Sequence, residues 1–473
     1  MYDTMLEICV WRRLFMESNS KTFIKDFTSG PVLRTLLTFA LPLFLSNLLQ
    51  ALYNLVDMVV VGQVVGAPGL SGISVGGDVL AMLTFVAMGF ADAGQVIISM
   101  YIGSGLKDKL SRFIGTMSTF MALCAVVISI LFLLLRKQVL TLLNTPAESW
   151  DQAMAYAATC MVGLIFIYGY NVVSAILRGM GDSKRPFLFI AIAAVLNVVL
   201  DLVFVVGLGW QSFGAALATV LAQAVSFVTA LVYLCRNRQR IGFELTLRDF
   251  RINRRELLTL VKLGVPFALR QAAVLFSKFF INFWLNGYGV TVSAVSGIGY
   301  KLDVIGNLVG SAVSTAGSSM VGQNIGAGKF KRVSRILGSA LLINGVFYSL
   351  LILVIGLFPR FVFGCFTSDA SVLSVCMEYL PFLLVIYAAS ALRNSMYAFT
   401  NGCGNSKFNF CVAVLDGFVV RIGLSVLLGL GFGLGYHGFW AGSTAAGFVP
   451  FLLGVFFYLF GRWKNDAAPS LKK

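Results

Sequence analysis

Histidine is nearly missing from this 473-residue chain, which has one, His437. A relay of histidines, or a nucleophile activated by one, lacks its main component. The eight cysteines, Cys9, Cys124, Cys160, Cys235, Cys365, Cys376, Cys403 and Cys411, form no CxxC pair and no cluster with metal-ligand spacing. Most fall inside apolar runs and read as small buried side chains, so no cofactor or metal cluster is expected of them. Residues 1–33 hold no apolar core of signal-peptide length, and no cleaved segment is expected. Charge is scarce as well: Asp, Glu, Lys and Arg make up 12% of the chain against 58% hydrophobic residues. That balance excludes an ordinary soluble domain and fits an integral membrane protein.

What is present is apolar sequence in long runs. Stretches able to cross a bilayer recur twelve times, at 35–61, 76–101, 113–135, 153–178, 186–206, 213–235, 257–286, 293–322, 335–358, 374–400, 408–431 and 438–460. The net charge of +16 would suit nucleic acid if it were spread over a surface. It is not. With the N-terminus placed in the cytoplasm, 28 of the 36 Lys and Arg fall in inner segments and five inside spans; the outer loops hold three, Arg136, Lys137 and Arg360. This asymmetry puts both termini in the cytoplasm, with the chain in the inner (plasma) membrane, and needs no nucleic-acid partner.

The chain repeats itself. "IGSGLKDKLSRFIG" at 102 returns as "IGAGKFKRVSRILG" at 325, and "GMGDSKRPF" at 179 as "GCGNSKFNF" at 402. Pro42 and Pro266 fall at nearly the same offset, as do "GLGWQSF" at 207 and "GLGYHGF" at 433. The expected fold is therefore all-α, with twelve transmembrane helices in two six-helix lobes related by a pseudo-two-fold along the membrane normal. The expected division is a cytoplasmic segment 1–33, a lobe 34–235, a basic linker 236–256, a lobe 257–460 and a tail 461–473. "GMGDSK" lacks the GKS or GKT of a phosphate loop. It does contain the GxGD of intramembrane aspartyl proteases, but the second copy replaces Asp182 by Asn405, so turning glycines and a Ser-Lys cap explain both copies.

Seven carboxylates fall within spans: Asp57, Asp78, Asp92 and Asp201 in the first half, Asp303, Glu378 and Asp416 in the second. The five embedded bases, Arg270, Lys278, Lys301, Arg393 and Arg421, all belong to the second half. Lys301 with Asp303, and Asp416 with Arg421, read as structural pairs; the first half has no base to spare. Asp57, Tyr156, Asp201 and Thr219 each come out roughly 5–9 Å below the outer boundary, counted at ~1.5 Å per residue from the span ends. Asn197 shares a helix face with Asp201. Two carboxylates ~4 Å apart repel by ~4 kcal/mol at an effective dielectric of ~20, so this pair is tolerable only if it binds protons or a metal cation. Asp92, deep in the second span, is a further candidate.

"YNLVDMVVVGQ", "ILRGMGDSKRPF", "LNVVLD" and "VGQNIGAGK", in that order, resemble the multidrug and toxic compound extrusion (MATE) family over roughly residues 28–462, closest to its DinF-like prokaryotic branch. The resemblance implies two lobes in a V that alternate between inward- and outward-open forms. It implies export of amphipathic, often cationic small molecules in exchange for H+ or Na+, with no enzymatic step and no other cofactor, by a protein expected to be a monomer. The branch's coupling pattern maps onto Asp57, Tyr156, Asn171, Asn197, Asp201 and Thr219, with Asn171 lower than the rest; Na+ would sit at Asp57, Asn197, Asp201 and Thr219. Gln50 and Tyr53 match the drug cavity, which Asp92 is expected to line on the separate ground of its depth in the second span, and Pro42 matches a proline at which the first helix bends. Carboxylates that the NorM-like branch carries in the second lobe are replaced by Val274 and Ser390. A lipid-linked oligosaccharide flippase of the same superfamily is the rival reading, followed by the intramembrane protease.

Overall fold

The computed structural model describes residues 24–237, 246 and 248–464. Most of the expected N-terminal segment, the middle of the basic linker, the end of the tail and Cys9 lie outside the described residues. Among the described residues no strand occurs. The spans are α1 (Val32–Val65), α2 (Ala67–Gly103), α3 (Lys107–Leu142), α4 (Ala147–Val162 with Leu164–Gly179), α5 (Lys184–Gly207), α6 (Gln211–Arg236), α7 (Arg254–Asn286), α8 (Val290–Gly326), α9 (Phe330–Leu357), α10 (Ala370–Gly402), α11 (Ser406–Gly431) and α12 (Gly435–Phe460). Eleven are long and apolar enough to cross a membrane, and α4 makes twelve as a pair bent by 50°. The expected run at 153–178 is thus broken. A β-carbon at Gly163 would overlap Val220, so the glycine lets α4 approach α6.

The repeat is written into the backbone. Gly66, Gly105, Gly181 and Gly209 have left-handed φ of 76°, 72°, 88° and 69°, and so do Gly289, Gly328, Gly404 and Gly433 at 105°, 71°, 63° and 68°. Each pair sits at the same junction of its half, where a residue with a β-carbon would be strained. The loop after Gly181 is capped by Asp182, not by the expected Ser-Lys pair: its carboxylate accepts the Arg185 backbone N–H at 3.3 Å and the Arg185 guanidinium at 2.6 Å. Asn405 caps α11 the same way through the Phe408 N–H at 3.0 Å. A carboxylate so engaged is no protease nucleophile's partner.

The halves interlock at one end, here called the basic end because the Lys- and Arg-rich loops lie there. Phe39, Ala40 and Leu43 of α1 are buried among residues of α8, α9, α10 and α12, whereas Leu260, Leu263 and Phe267 of α7 are buried in the first-half core. Each half therefore sends the start of its first helix into the other, and Pro42 and Pro266 lie where the crossing ends. Pro42 leaves its helix without one backbone bond, yet α1 runs unbroken for 34 residues. Below this, α2 is buried from Ala93 to Tyr101 and α8 from Ala316 to Ile325. Their contact excludes side chains: a β-carbon on Gly103 would overlap the Gln323 carbonyl oxygen, and one on Gly326 that of Met100. Gln95 donates across it to Ser319 Oγ at 2.6 Å, and Tyr101 of α2 donates to Glu256 of α7 at 2.8 Å.

A short strap, residues 24–29, closes the seam. The Phe27 N–H donates to Gln323 Oε1. Gln323 returns a bond to the Lys25 carbonyl at 3.0 Å, Asn324 and Arg332 donate to the Phe27 carbonyl at 3.1 and 2.9 Å, and the Lys25 N–H reaches Met180 of the other half at 2.9 Å.

In the second half Asp416 and Arg421 pair at 2.7 Å as expected, and the reason is local. Leu415–Val420 is a π-turn, whose i,i+5 spacing stacks the two side chains. Lys301 and Asp303 do not pair. Two positions apart on a helix they point to opposite sides, so Lys301 is exposed, while Asp303 bonds Lys278 of α7 at 3.0 Å. His437 lies in the first turn of α12, not in a loop, against Glu378 at 3.1 Å.

Two outcomes follow from this packing. Gly103→Leu should force the basic end apart, seen as a longer distance between spin labels at Ser104→Cys and Ala327→Cys; an unchanged distance would show that the α2–α8 contact is not what closes it. Asp416→Ala should lower unfolding stability by roughly 3–5 kcal/mol in detergent, because it strands a buried guanidinium, whereas Ser443→Ala should change it by less than about 1 kcal/mol.

Candidate functional site

Five of the six expected coupling residues meet in one place. Asp57 on α1, Asn197 and Asp201 on α5, Thr219 on α6 and Tyr156 on α4 converge because α5 packs against both α1 and α6, and α4 against α6. Gly76 of α2 makes room for the phenol, since a β-carbon there would stand 2.7 Å from Tyr156 Cδ1. Asp57 is 3% exposed, Asn197 2% and Asp201 0%. Asp57 lies directly beside Asp201, Asn197 and Thr219, and the Thr219 hydroxyl beside Tyr156.

The hydrogen bonds do not close. Thr219 Oγ1 stands 3.4 Å from Asp57 Oδ2, but its one proton is also aimed at the Ala215 carbonyl at 3.0 Å. Asp57 Oδ1, both Asp201 oxygens and both polar atoms of Asn197 are buried without a protein partner. Among the described residues neither carboxylate is in an ion pair with Lys, Arg or His. Each unsatisfied buried polar atom costs on the order of 1–3 kcal/mol, and charged ones more. The donor set of two carboxylates, an amide oxygen and a hydroxyl is all oxygen, which suits a small hard cation or protons shared between the acids.

The cluster borders a cavity of about 870 Å³ between the two halves, on the far side of the α2–α8 seam. Asp57, Tyr156 and Thr219 are on its wall; Asn197 and Asp201 stand behind them. Gln50 and Tyr53 line it as expected, and Gln223, which the sequence reading passed over, lies 3.5 Å from the Tyr53 hydroxyl. Asn171 lines it too, with its amide donating to Ile167 O one turn back at 2.8 Å.

Asp92 corrects the expectation that the first half has no base of its own. Arg178 reaches it at 3.7 Å, with its Nε on Gln95 Oε1 at 2.6 Å. Arg178 belongs to the last turn of α4, and a long helical side chain leans toward the helix N-terminus, so a residue counted with the loop returns into the cavity. Of the second-half positions, Val274 lines the cavity, and Ser390 accepts from Arg393 at 2.9 Å.

Comparison with known proteins agrees with the repeat. The MatE family model matches twice, over residues 42–203 and 266–427. The probable multidrug resistance protein YpnP of Bacillus subtilis (strain 168) is 29% identical over 451 residues, 93% of this chain and 97% of its own. Among solved structures, a MOP superfamily transporter from Pyrococcus furiosus described as having a binding pocket of reverse polarity superposes with a TM-score of 0.85 at 23% identity, covering 97% of this chain and 100% of the other. A multidrug resistance MATE family transporter of the MOP superfamily, in its outward-facing conformation, does so at 0.84 and 24%, covering 94% and 98%. With both halves matched by one model and the two-lobed helical fold shared, the chain belongs to the MatE family of secondary membrane transporters and is not an enzyme.

Proposed function

We propose that this transporter exports amphipathic, often cationic small molecules across the plasma membrane in exchange for H+ or Na+, and works as a monomer by alternating access. The observation that carries the reading is the base-free pair Asp57 and Asp201, buried with unsatisfied oxygens at the edge of the inter-lobe cavity. YpnP, named for multidrug resistance, supports the substrate class. The basic end is taken as cytoplasmic by the distribution of Lys and Arg, which makes the sealed α2–α8 seam an inner gate and the form described here outward-open.

In that arrangement the ionised pair draws a cationic compound to the first-lobe wall, since unlike charges attract strongly where water is scarce. Protons or Na+ entering from outside then neutralise Asp57 and Asp201, with Asn197 and Thr219 completing the oxygen shell. The attraction for the compound is lost and it leaves outward. Movement of α1 about Pro42 couples the two events, because the missing backbone bond lets the helix bend there at low cost. One positive charge moving inward down ~100 mV supplies ~2.3 kcal/mol, enough for less than a hundredfold gradient of drug.

The flippase reading is favoured by Arg270, Lys278 and Arg393, which line the cavity. The opposite wall, however, carries Asp57, Asp78 and Asp92, and would repel a pyrophosphate.

Ethidium efflux from proteoliposomes under imposed pH and Na+ gradients tests the antiport. Asp57→Asn and Asp201→Asn should each reduce gradient-driven efflux at least tenfold while leaving ethidium binding measurable. If both variants pump at the wild-type rate, the pair is not the coupling site.

A further inference from the structure

The second half contains a counterpart of the cation cluster, and its polarity is inverted. Carried through the repeat, Asn197 corresponds to Arg421 and Thr219 to Ser443, each 224 positions on, and Tyr156 to Tyr379, 223 on. Asp57 and Asp201 correspond to Ile281 and Ser425, so both carboxylates are gone and an arginine has entered. These positions are not filled in. A pocket of about 90 Å³ is lined by Ile281, Tyr379, Arg421 and Ser443, and also by Lys278 and Arg393. It is room for a few waters or one small oxyanion. Lys278, Asp303 and Arg393 line the large cavity as well, so the pocket opens from it.

Its charges are not balanced from within. Asp303 holds Lys278 at 3.0 Å, and Asp416, behind the pocket, holds one end of Arg421 at 2.7 Å. Arg393 has no carboxylate within ion-pair distance: the Lys278-bound Asp303 acts on it only from farther off, and its hydrogen bond is to Ser390 at 2.9 Å, so two bound acids face three bases. Two buried donors on the lining are left without an acceptor, Arg421 Nε and the Thr444 hydroxyl, on side chains 4% and 5% exposed. Unmatched donors beside an unpaired guanidinium call for an acceptor that carries negative charge, and arginine is the side chain best shaped to hold carboxylate or phosphate.

We propose that this second-half pocket, bounded by Lys278, Arg393, Arg421 and Thr444, binds an oxyanion, either a carboxylate or phosphate group borne by the transported amphiphile or a small free anion. Substrates then include zwitterions, seated with the cationic end toward Asp57 and the anionic end in this pocket. The substrate class rests on the export reading above; the pocket itself does not.

The test is equilibrium binding, by fluorescence polarisation, of a rhodamine with a free carboxylate and of its methyl ester to the full chain in nanodiscs of neutral lipid. The two dyes share ring and positive charge, so the ester also reports that each variant is folded. Arg393→Gln and Thr444→Val should weaken the free acid relative to the ester, by about tenfold for the arginine, and Arg393→Lys should restore part of the difference. Displacement of the free acid alone by inorganic phosphate assigns the pocket to small anions too; no displacement assigns it to a group on the amphiphile; both support an oxyanion site. Equal loss for both dyes, or no loss for the free acid, overturns it. Absence of gradient-driven ester efflux by the wild type would instead sink the antiport reading and leave the binding difference standing.

Discussion

A carboxylate that cannot reach water or a base must find a positive charge elsewhere, and the first half of this transporter holds two of them side by side. Everything around them keeps that shortage in place. Apolar helices exclude water from Asp201, the Gly76 contact seats Tyr156 as a wall, and Arg178, among the described residues the one first-half base in an ion pair with a cavity acid, is committed to Asp92 and Gln95. A well-packed neutral core would be more stable. On the antiport proposed above, the strain is acceptable because the site must lose and regain its ion in every cycle.

The repeat gives the protein two such locations, and only one of them carries an acid pair. The seams, caps and left-handed glycines of the halves still match position by position, since each is dictated by backbone geometry that both copies share. Charged side chains in the interior obey no such rule. Substituting Asn by Arg at the position of α11 that matches Asn197 reverses the sign of the site without disturbing the helix that carries it, and the π-turn at Leu415–Val420 supplies Asp416 as a partial counter-ion. The cavity between the halves is consequently uneven in charge: Asp57, Asp78 and Asp92 outnumber Arg178 on one wall, and Arg270, Lys278 and Arg393 outnumber Asp303 and Asp416 on the other.

Much of this was legible from the chain. Span number, the repeat and the common depth of Asp57, Tyr156, Asp201 and Thr219 follow from hydrophobic length and the fixed rise of a helix, and the structure brings those four together with Asn197. What failed was direction. Proximity in sequence pairs Lys301 with Asp303, whereas the helical turn separates them, and counting from span ends leaves Arg178 with a loop although its side chain leans back into the protein. The 50° break in α4 has no proline to announce it, and the pocket around Arg421 becomes visible only when the halves are superposed in space.

The exchange of first helices between the halves has a consequence for biosynthesis. The beginning of α1 leaves the ribosome well before its partners on α8, α9, α10 and α12, which lie about 270 to 420 residues further along the chain. Until they arrive, Phe39, Ala40 and Leu43 must be sheltered by lipid or by the insertion machinery, and Phe27 has no Gln323 to bind. Assembly of the first lobe thus remains provisional until the second has been made, and the strap cannot close before α8 and α9 exist.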